Sequence, residues 1–331
     1  MAPPQSQPLV DPHGRTVRDL RISVTDRCNF RCGYCMPAEG MTWLPREDIL
    51  TFEELERVAR VCVERFGFDG IRLTGGEPTL RAHLPVLVAK LAALDVDLSL
   101  TTNGASLRLL ADDLRGAGLR RVNVSCDSLR RDRFAAITRR DRLPQVLDGI
   151  EAAQEAGFDP VKVNVVLVRG VNDDEVVDFA EWGRRQGVVV RFIEFMPLDA
   201  QGEWSAAAVV PADEVVAAID AVHPLVPVAH GPAPATVWRY ADGGGEIGVI
   251  ASVTRPFCGD CDRVRLTADG HFRSCLFAVR ERDLRPVLRG GGSDDDLAAA
   301  IAAEVGTKWA GHAIGQVTFV RPTRSMSQIG G

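Results

Sequence analysis

No stretch of the 331-residue sequence is apolar for long enough to span a membrane, and no secretory leader is visible. Met1 to Pro12 is polar, with three prolines among the first eight residues, and residues 1–15 are expected to be a disordered tail. A basic excess is also missing. Lys and Arg number 39 against 45 Asp and Glu, a net charge of −6. That balance argues against a nucleic-acid binder, whose footprint is basic. A small polyanionic substrate is still allowed, because a local cluster of arginines can outweigh a mildly negative surface. The spacing of a disulfide framework is absent as well. Six of the eight cysteines fall in two tight groups, while Cys62 and Cys126 lie inside apolar runs as small buried hydrophobes. Tight groups suggest metal, a reducing compartment and a cytoplasmic location.

What is present is densest at Cys28-Asn29-Phe30-Arg31-Cys32-Gly33-Tyr34-Cys35, a C-x3-C-x2-C stretch directly after the apolar-alternating run 20–24. Thiolates favour zinc or iron–sulfur centres. A structural zinc wants four protein ligands, and this stretch offers three. A four-iron cluster on three thiolates leaves one iron free to chelate a small molecule through an amine and a carboxylate. Tyr34 places an aromatic beside it. Cys258, Cys261 and Cys275 form a second trio, and a hairpin turning at 268–270 would bring Cys275 back beside Cys261. Here His271 could complete a Cys3His zinc site, so zinc and iron–sulfur both stand open on these residues. The neighbouring Arg263-Val264-Arg265-Leu266 puts two guanidiniums on one strand face, which suits either a phosphate or plain solvent. Gly75-Gly76-Glu77-Pro78 offers glycines that let backbone approach a ligand and a carboxylate for an ammonium group, or else an ordinary turn.

From Leu20 to about Leu198 two kinds of pattern alternate. Residues 20–24, 70–74, 98–102, 121–125, 161–168 and 188–195 read as strands. Thr51-Phe52-Glu53-Glu54 reads as a capping box opening a helix to about Phe66. Pro85 suits the first turn of the next helix, and further helices are expected over 107–117, 143–156 and 174–186. Six strand–helix units are too few for a closed eightfold barrel. A doubly wound sheet is the alternative from pattern alone. The barrel is favoured because polar residues close the strands on one rim, at Thr74, 101–103, 125–127 and 194–196. The expected fold is α/β: an incomplete (β/α)6 TIM-like barrel over 16–198. A C-terminal domain with antiparallel strands, 199–331, is expected to cover the open side. Within it, short strands are expected over 236–277, helices from Pro211 and Ser293, and a linker at 290–292.

Taken in order, Arg21, C-x3-C-x2-C, Ile71-Arg72-Leu73-Thr74-Gly75-Gly76-Glu77-Pro78, Thr101-Thr102-Asn103-Gly104, Asn123-Val124-Ser125, Lys162-Val163-Asn164, Arg191-Phe192-Ile193-Glu194-Phe195-Met196, C-x2-C-x13-C and a terminal Gly330-Gly331 carry a resemblance. The chain from Leu20 to Gly331 closely resembles the GTP 3′,8-cyclases of molybdenum cofactor biosynthesis, a family of the radical S-adenosylmethionine superfamily. The resemblance implies two 4Fe-4S clusters, on Cys28, Cys32 and Cys35 and on Cys258, Cys261 and Cys275. It implies that S-adenosylmethionine chelates the first cluster and is lined by Tyr34, Gly76, Glu77, Ser125 and Met196. It places GTP on Arg21, Arg72, Thr101, Lys162, Arg263, Val264 and Arg265, with its guanine on the second cluster. Arg263, Arg265, Gly330 and Gly331 would support catalysis, although a terminal Gly-Gly also reads as a frayed end or a conjugation tail. The implied reaction abstracts the ribose 3′ hydrogen with a 5′-deoxyadenosyl radical and joins C3′ to C8. Implied partners are a flavodoxin- or ferredoxin-like electron donor and the downstream cyclic pyranopterin monophosphate synthase, around a monomer or homodimer. Two rival readings are a radical enzyme that modifies peptides and a non-catalytic zinc or iron–sulfur regulator.

Overall fold

Strand and helix patterns alternate along the chain, and the strands that result line up side by side in the order in which they are made. The computed structural model describes residues 6–199, 202, 204–228, 233–317 and 319–330. Two short strands, β1 (Leu9–Val10) and β2 (Thr16–Val17), pair first. The main strands follow as β3 (Asp19–Ser23), β4 (Gly70–Thr74), β5 (Asp97–Thr102), β6 (Arg121–Ser125), β7 (Lys162–Leu167) and β8 (Val189–Glu194). Helices α1 (Phe52–Phe66), α2 (Leu84–Ala92), α3 (Ala111–Gly116), α4 (Arg131–Thr138), α5 (Leu143–Glu155) and α6 (Val176–Gln186) connect them. Thr51 and Glu54 close both bonds of the expected capping box at the start of α1.

Neighbours β3 to β8 are all parallel and stand in sequence order. A doubly wound sheet reverses its strand order at a switch point, and this one does not, so the partial-barrel reading holds. Ile22, Leu73, Leu100, Val124, Val163, Val165 and Phe192 join the core with Val58, Leu87 and Phe179 from the helices. The alternate residues of each strand face the lumen.

The C-terminal segment extends this sheet at both edges. Helix α7 (Ala212–Asp220) leads into β9 (Leu225–Pro227), β10 (Thr236–Tyr240) and β11 (Glu246–Ile250), and β11 lies parallel to β8. At the other edge β12 (Arg263–Leu266) lies parallel to β3 and carries β13 (His271–Arg273) and β14 (Arg282–Asp283). The hairpins turning at 243–245 and, as expected, at 268–270 are antiparallel, but their join to the barrel is parallel. The open edges of β3 and β8 explain it, since unpaired backbone groups there need partners. Helices α8 (Arg285–Arg289), α9 (Asp294–Val305) and α10 (Met326–Ile329) complete the chain.

Three expectations change. Residues 6–15 are folded, not a disordered tail: Asp11 turns the β1–β2 hairpin by accepting from the backbone of His13 and Arg15. Residues 1–5 lie outside the described residues. The helix expected over 107–117 breaks after a 3-10 turn, Leu107–Leu109. Helix α4, in a charge-rich segment with weak periodicity, escaped the sequence reading. Among the described residues no helix is long and apolar enough to cross a membrane.

Glu194 locks the β8 edge. Its buried carboxylate accepts from Ala212 N (3.0 Å), Val253 N (2.7 Å), Thr254 N (2.8 Å) and Thr254 Oγ1 (2.5 Å). Truncation strands those donors, each costing about 1–3 kcal/mol when unsatisfied. Glu194→Ala is expected to lower unfolding stability by roughly 3–5 kcal/mol. Chemical denaturation of both proteins measures it, and a loss under about 1 kcal/mol contradicts the assignment.

Candidate active site

The lumen is polar where a TIM barrel is normally packed with branched aliphatics. Arg21, Arg72, Thr74, Thr101, Ser125, Asn164 and Arg191 line a cleft, together with Arg263 and Arg265 from β12. Strand register makes this a dense cationic row. Arg265 pairs with Arg21, and Arg21 pairs with Arg72. Like charges directly opposite in a sheet repel. Burial, then Arg265, Arg72 and Arg263, hold the Arg21 guanidinium well below its ordinary range. Its Nε is buried without a hydrogen-bond partner among the described residues, and Asp19 is 3.9 Å away. Burial with Arg72 and Arg121 pushes Arg191 down to about 10, and burial with Arg263 pushes Arg265 down to about 10. Burial with Arg191 and Arg121 holds Lys162 at about 8. Such a set is arranged for a polyanion.

The first cysteine trio sits on the loop leaving the C-terminal end of β3. Gly76 sets its position. Gly76 N donates to Thr25 O (2.8 Å) and Glu77 N to Arg27 O (2.7 Å). A Cβ at Gly76 would stand 2.4 Å from Arg27 O and 2.5 Å from Asp26 O, so only glycine lets the two backbones meet. Sulfur contacts come from Phe30 N (3.3 Å) and Asn103 Nδ2 (3.9 Å), both to Cys28 Sγ. Tyr34 donates to Asp127 Oδ2 at 2.5 Å, and Asp127 Oδ1 accepts from Val166 N at 2.8 Å, which fixes the aromatic at the rim. Burial pushes the Cys28 thiol up to about 11 and, with Cys28, the Cys35 thiol up to about 12. These thiols need a metal to become thiolates.

The second trio lies at the opposite end of the lumen. Cys261 precedes β12 and Cys275 follows its antiparallel partner β13, while the parallel β3 runs away from that end toward Cys28. Arg263 Nη2 approaches Cys261 Sγ at 3.5 Å, and Phe277 N donates to Cys275 Sγ at 3.4 Å. Burial raises the Cys261 thiol, but Arg263 and Lys308 outweigh it and hold it below its ordinary range. His271 does not turn to the sulfurs. Its Nδ1 is 3.2 Å from Asp269 and its Nε2 3.8 Å from Glu281. Among the described residues no three His, Cys, Asp or Glu side chains converge on a point that could hold one metal ion. A structural zinc wants four protein ligands, whereas three thiolates can each take a different iron of a four-iron cluster, so the donor set of either trio fits such a cluster.

The C-terminal tail closes the cleft. Arg324 binds Asp269 (2.9 Å) and Glu281 (2.6 Å), and α10 then runs to Gly330, whose carbonyl accepts from Arg265. Gly330 has φ 85°, and a Cβ there would stand 2.5 Å from Thr74 Oγ1. Met326 and Ser327 line the cleft. Gly331 lies outside the described residues.

Two family models match in tandem, Radical SAM superfamily over residues 22–183 and Molybdenum Cofactor Synthesis C over residues 188–314. A GTP 3′,8-cyclase of Mycolicibacterium smegmatis is 48% identical over 336 residues, covering 99% of this chain and 93% of that one. One of Streptomyces coelicolor is 48% identical over 328 residues, covering 98% and 96%. A GTP 3′,8-cyclase 2 of Mycobacterium tuberculosis is 50% identical over 336 residues, covering 99% and 93%. The chain belongs to the GTP 3′,8-cyclase family. In fold it is similar to Streptococcus suis SuiB bound to S-adenosylmethionine, with TM-score 0.61 and 12% identity over 88% of this chain and 69% of that one.

Of the residues expected from the family pattern, Cys28, Cys32, Cys35, Tyr34, Gly76, Glu77, Ser125, Met196, Arg21, Arg72, Thr101, Arg263 and Arg265 share the cleft lining. Val264 does not: strand alternation turns its side chain into the core, 0% exposed. Lys162 lies beside the cleft, close enough to feel Arg191, Arg121 and Arg72. Glu77, expected to meet an ammonium group, already accepts from Thr79 N, Thr79 Oγ1, Thr102 Oγ1 and Asn103 N. Its carboxylate binds β5's end to the turn. Arg191, Asn103, Asp127, Asn164 and Ser327 line the cleft without having been singled out as site residues. Period-two alternation on β8 was the available signal for Arg191.

Gly76→Ala is expected to lose iron at the first trio, because neither backbone oxygen can retreat. Gly259→Ala, inside the second trio with open space around its α-carbon, is expected to keep it. Iron per chain after anaerobic reconstitution decides. Parent-like iron in Gly76→Ala would show that the glycine does not hold the cysteine loop.

Proposed function

We propose that this protein is a GTP 3′,8-cyclase, converting GTP to 3′,8-cyclo-7,8-dihydro-GTP in the first step of molybdenum cofactor biosynthesis. The observation that carries the reading is the cationic lumen held between two cysteine trios, in a chain matching cyclase relatives end to end. Cys28, Cys32 and Cys35 would hold a first 4Fe-4S cluster, which would supply the electron for reductive cleavage of S-adenosylmethionine to methionine and a 5′-deoxyadenosyl radical. Tyr34, Gly76, Ser125 and Met196 line the cosubstrate, while Glu77 shapes that wall. Cys258, Cys261 and Cys275 would hold a second cluster beside the guanine. Arg21, Arg72, Thr101, Lys162, Arg191, Arg263 and Arg265 hold the triphosphate and ribose. Gly330 closes the site and excludes water and side chains that a carbon radical would attack, and Gly331 would support catalysis with it. The ribose loses its C3′ hydrogen atom, C3′ bonds to C8, and an electron and a proton then restore the balance. An external flavodoxin- or ferredoxin-like carrier supplies the electron in the cytoplasm, and cyclic pyranopterin monophosphate synthase takes the product. Residues 16–198 form the radical domain and 199–331 the C-terminal domain.

The decisive experiment is GTP-dependent formation of 5′-deoxyadenosine and the cyclised nucleotide under anaerobic conditions. Cys32→Ala is expected to abolish both. Arg265→Ala is expected to weaken GTP binding roughly tenfold to a hundredfold, the worth of one charged hydrogen bond, while S-adenosylmethionine cleavage survives. Unchanged GTP affinity in that variant contradicts the phosphate role.

Lys162 gives a pH signature. Burial and neighbouring arginines hold it at about 8 against the ordinary 10.5. A bound polyanion favours the charged form and raises it. At about pH 9 free protein has lost the proton and bound protein regains it, so GTP binding takes up a proton. Calorimetry in buffers of different ionisation enthalpy reads this uptake. It is expected to vanish in Lys162→Gln, and absence of uptake in the parent places Lys162 away from the phosphates.

A further inference from the structure

Arg15 has a task that the reaction scheme leaves unassigned. It belongs to the β1–β2 hairpin and is buried, yet it is 243 residues from the cysteine it touches. Its Nε donates to Asp11 Oδ2 (2.6 Å), which neutralises and orients it. Nη1 donates to the carbonyls of Cys258 (2.5 Å) and Ala310 (2.8 Å), and Nη2 to that of Trp309 (2.5 Å). One guanidinium thus joins three distant segments, and the planar fork of arginine is the side chain that can do so.

Within its own segment the Cys258 carbonyl is held by one long turn bond, from Cys261 N at 3.3 Å. Cys258 begins a three-residue 3-10 turn, Cys258–Asp260, with no side-chain cap and no buried member. Cys261 is anchored on the far side, where Asp262 O accepts from Arg18 N (2.9 Å) and β12 begins. Segment 309–311 lies over Cys258, and a Cβ at Gly311 would stand 3.0 Å from its Cβ and 3.5 Å from its Sγ. The neighbouring Lys308 is equally buried and donates to Arg263 O at 2.6 Å. We infer that Arg15 is a positioning residue for the second iron–sulfur centre, fixing the Cys258 sulfur by bolting its peptide to segment 309–310. The inference rests on the reading that the second trio holds a cluster.

The test is anaerobic reconstitution of full-length Arg15→Ala, Arg15→Lys, Cys258→Ala and the parent. It reads iron and sulfide per chain, the electron paramagnetic resonance of each reduced cluster, and dithionite-driven S-adenosylmethionine cleavage without GTP. Arg15→Ala is expected to match Cys258→Ala, with iron and sulfide at about half the parent's and the second cluster's signal lost. Cleavage at the first cluster should stay within about twofold of the parent. Arg15→Lys should resemble Arg15→Ala, because a single ammonium cannot span Asp11 and three carbonyls. Parent-like iron and both signals in Arg15→Ala overturn the inference. Loss of both clusters also overturns it, since Arg15 would then support the whole fold. If Cys258→Ala itself keeps the parent's iron, the second-cluster reading fails, whatever Arg15 does.

Discussion

Repulsion between Arg265, Arg21 and Arg72 governs the rest of this structure. The three occupy adjacent strands at one register level, with Arg263 close behind and, among the described residues, no side-chain carboxylate nearer to Arg21 than Asp19 at 3.9 Å. Burying cations without partners costs several kcal/mol each even after relaxation. A fold tolerates that only if stability comes from elsewhere and a bound anion repeatedly offsets the cost. The outer layer supplies the stability: Leu20, Ile22, Ile71, Leu73, Val163 and Val165 face the helices and are almost fully buried. Each strand therefore does two jobs at period two, aliphatic outward and cationic or polar inward.

That division also explains the polar staples. A lumen without aliphatic packing cannot hold the strand ends by itself. Buried carboxylates do so instead, Glu77 joining the turn after β4 to the end of β5, and Glu194 joining β8 to the segment after β11. Glu175 works likewise, accepting from Ser128 and Leu129 N under the salt bridge from Arg133. Each accepts backbone donors that would otherwise be stranded, so the rim keeps its shape whether or not a guest is bound.

Much of this was legible in the sequence. Strands β4 and β6 fall on the expected residues, and β3, β5, β7 and β8 differ by one residue at one or both ends, because their alternation is strict. Both cysteine trios and the Arg263/Arg265 pair are local patterns, so spacing alone found them. What escaped was long-range. Arg15 reads as one more polar residue in a proline-rich tail, and its importance lies in carbonyls at Cys258, Trp309 and Ala310 that no local pattern announces. Glu77 misled in the other direction. A carboxylate beside two glycines looks like a ligand, yet its own turn and the end of β5 converge to satisfy it. Val264 was drawn into the site by its arginine neighbours, and strand alternation removes it. His271 was ambiguous because a strand face shared with Cys275 says nothing about what Asp269, Glu281 and Arg324 do to the ring.

Parallel pairing of β12 with β3 settles how the two cysteine trios stand to one another. In a parallel pair the residues before one strand and after the other lie at opposite ends. Cys261 precedes β12 and Cys28 follows β3, so a strand length, about 15 Å or more, separates the trios with the arginine row between them. A guest that touches both ends must be long, and one that satisfies the row must carry several negative charges. The nucleoside triphosphate proposed above would meet both demands, with its base toward one cysteine trio, its phosphates on the arginines and its ribose toward the other trio. An antiparallel β12 would have brought Cys261 to the Cys28 end and left no room for such a guest. The join at the β3 edge, an ordinary remedy for an exposed strand, is thus also what spaces the two halves of the chemistry.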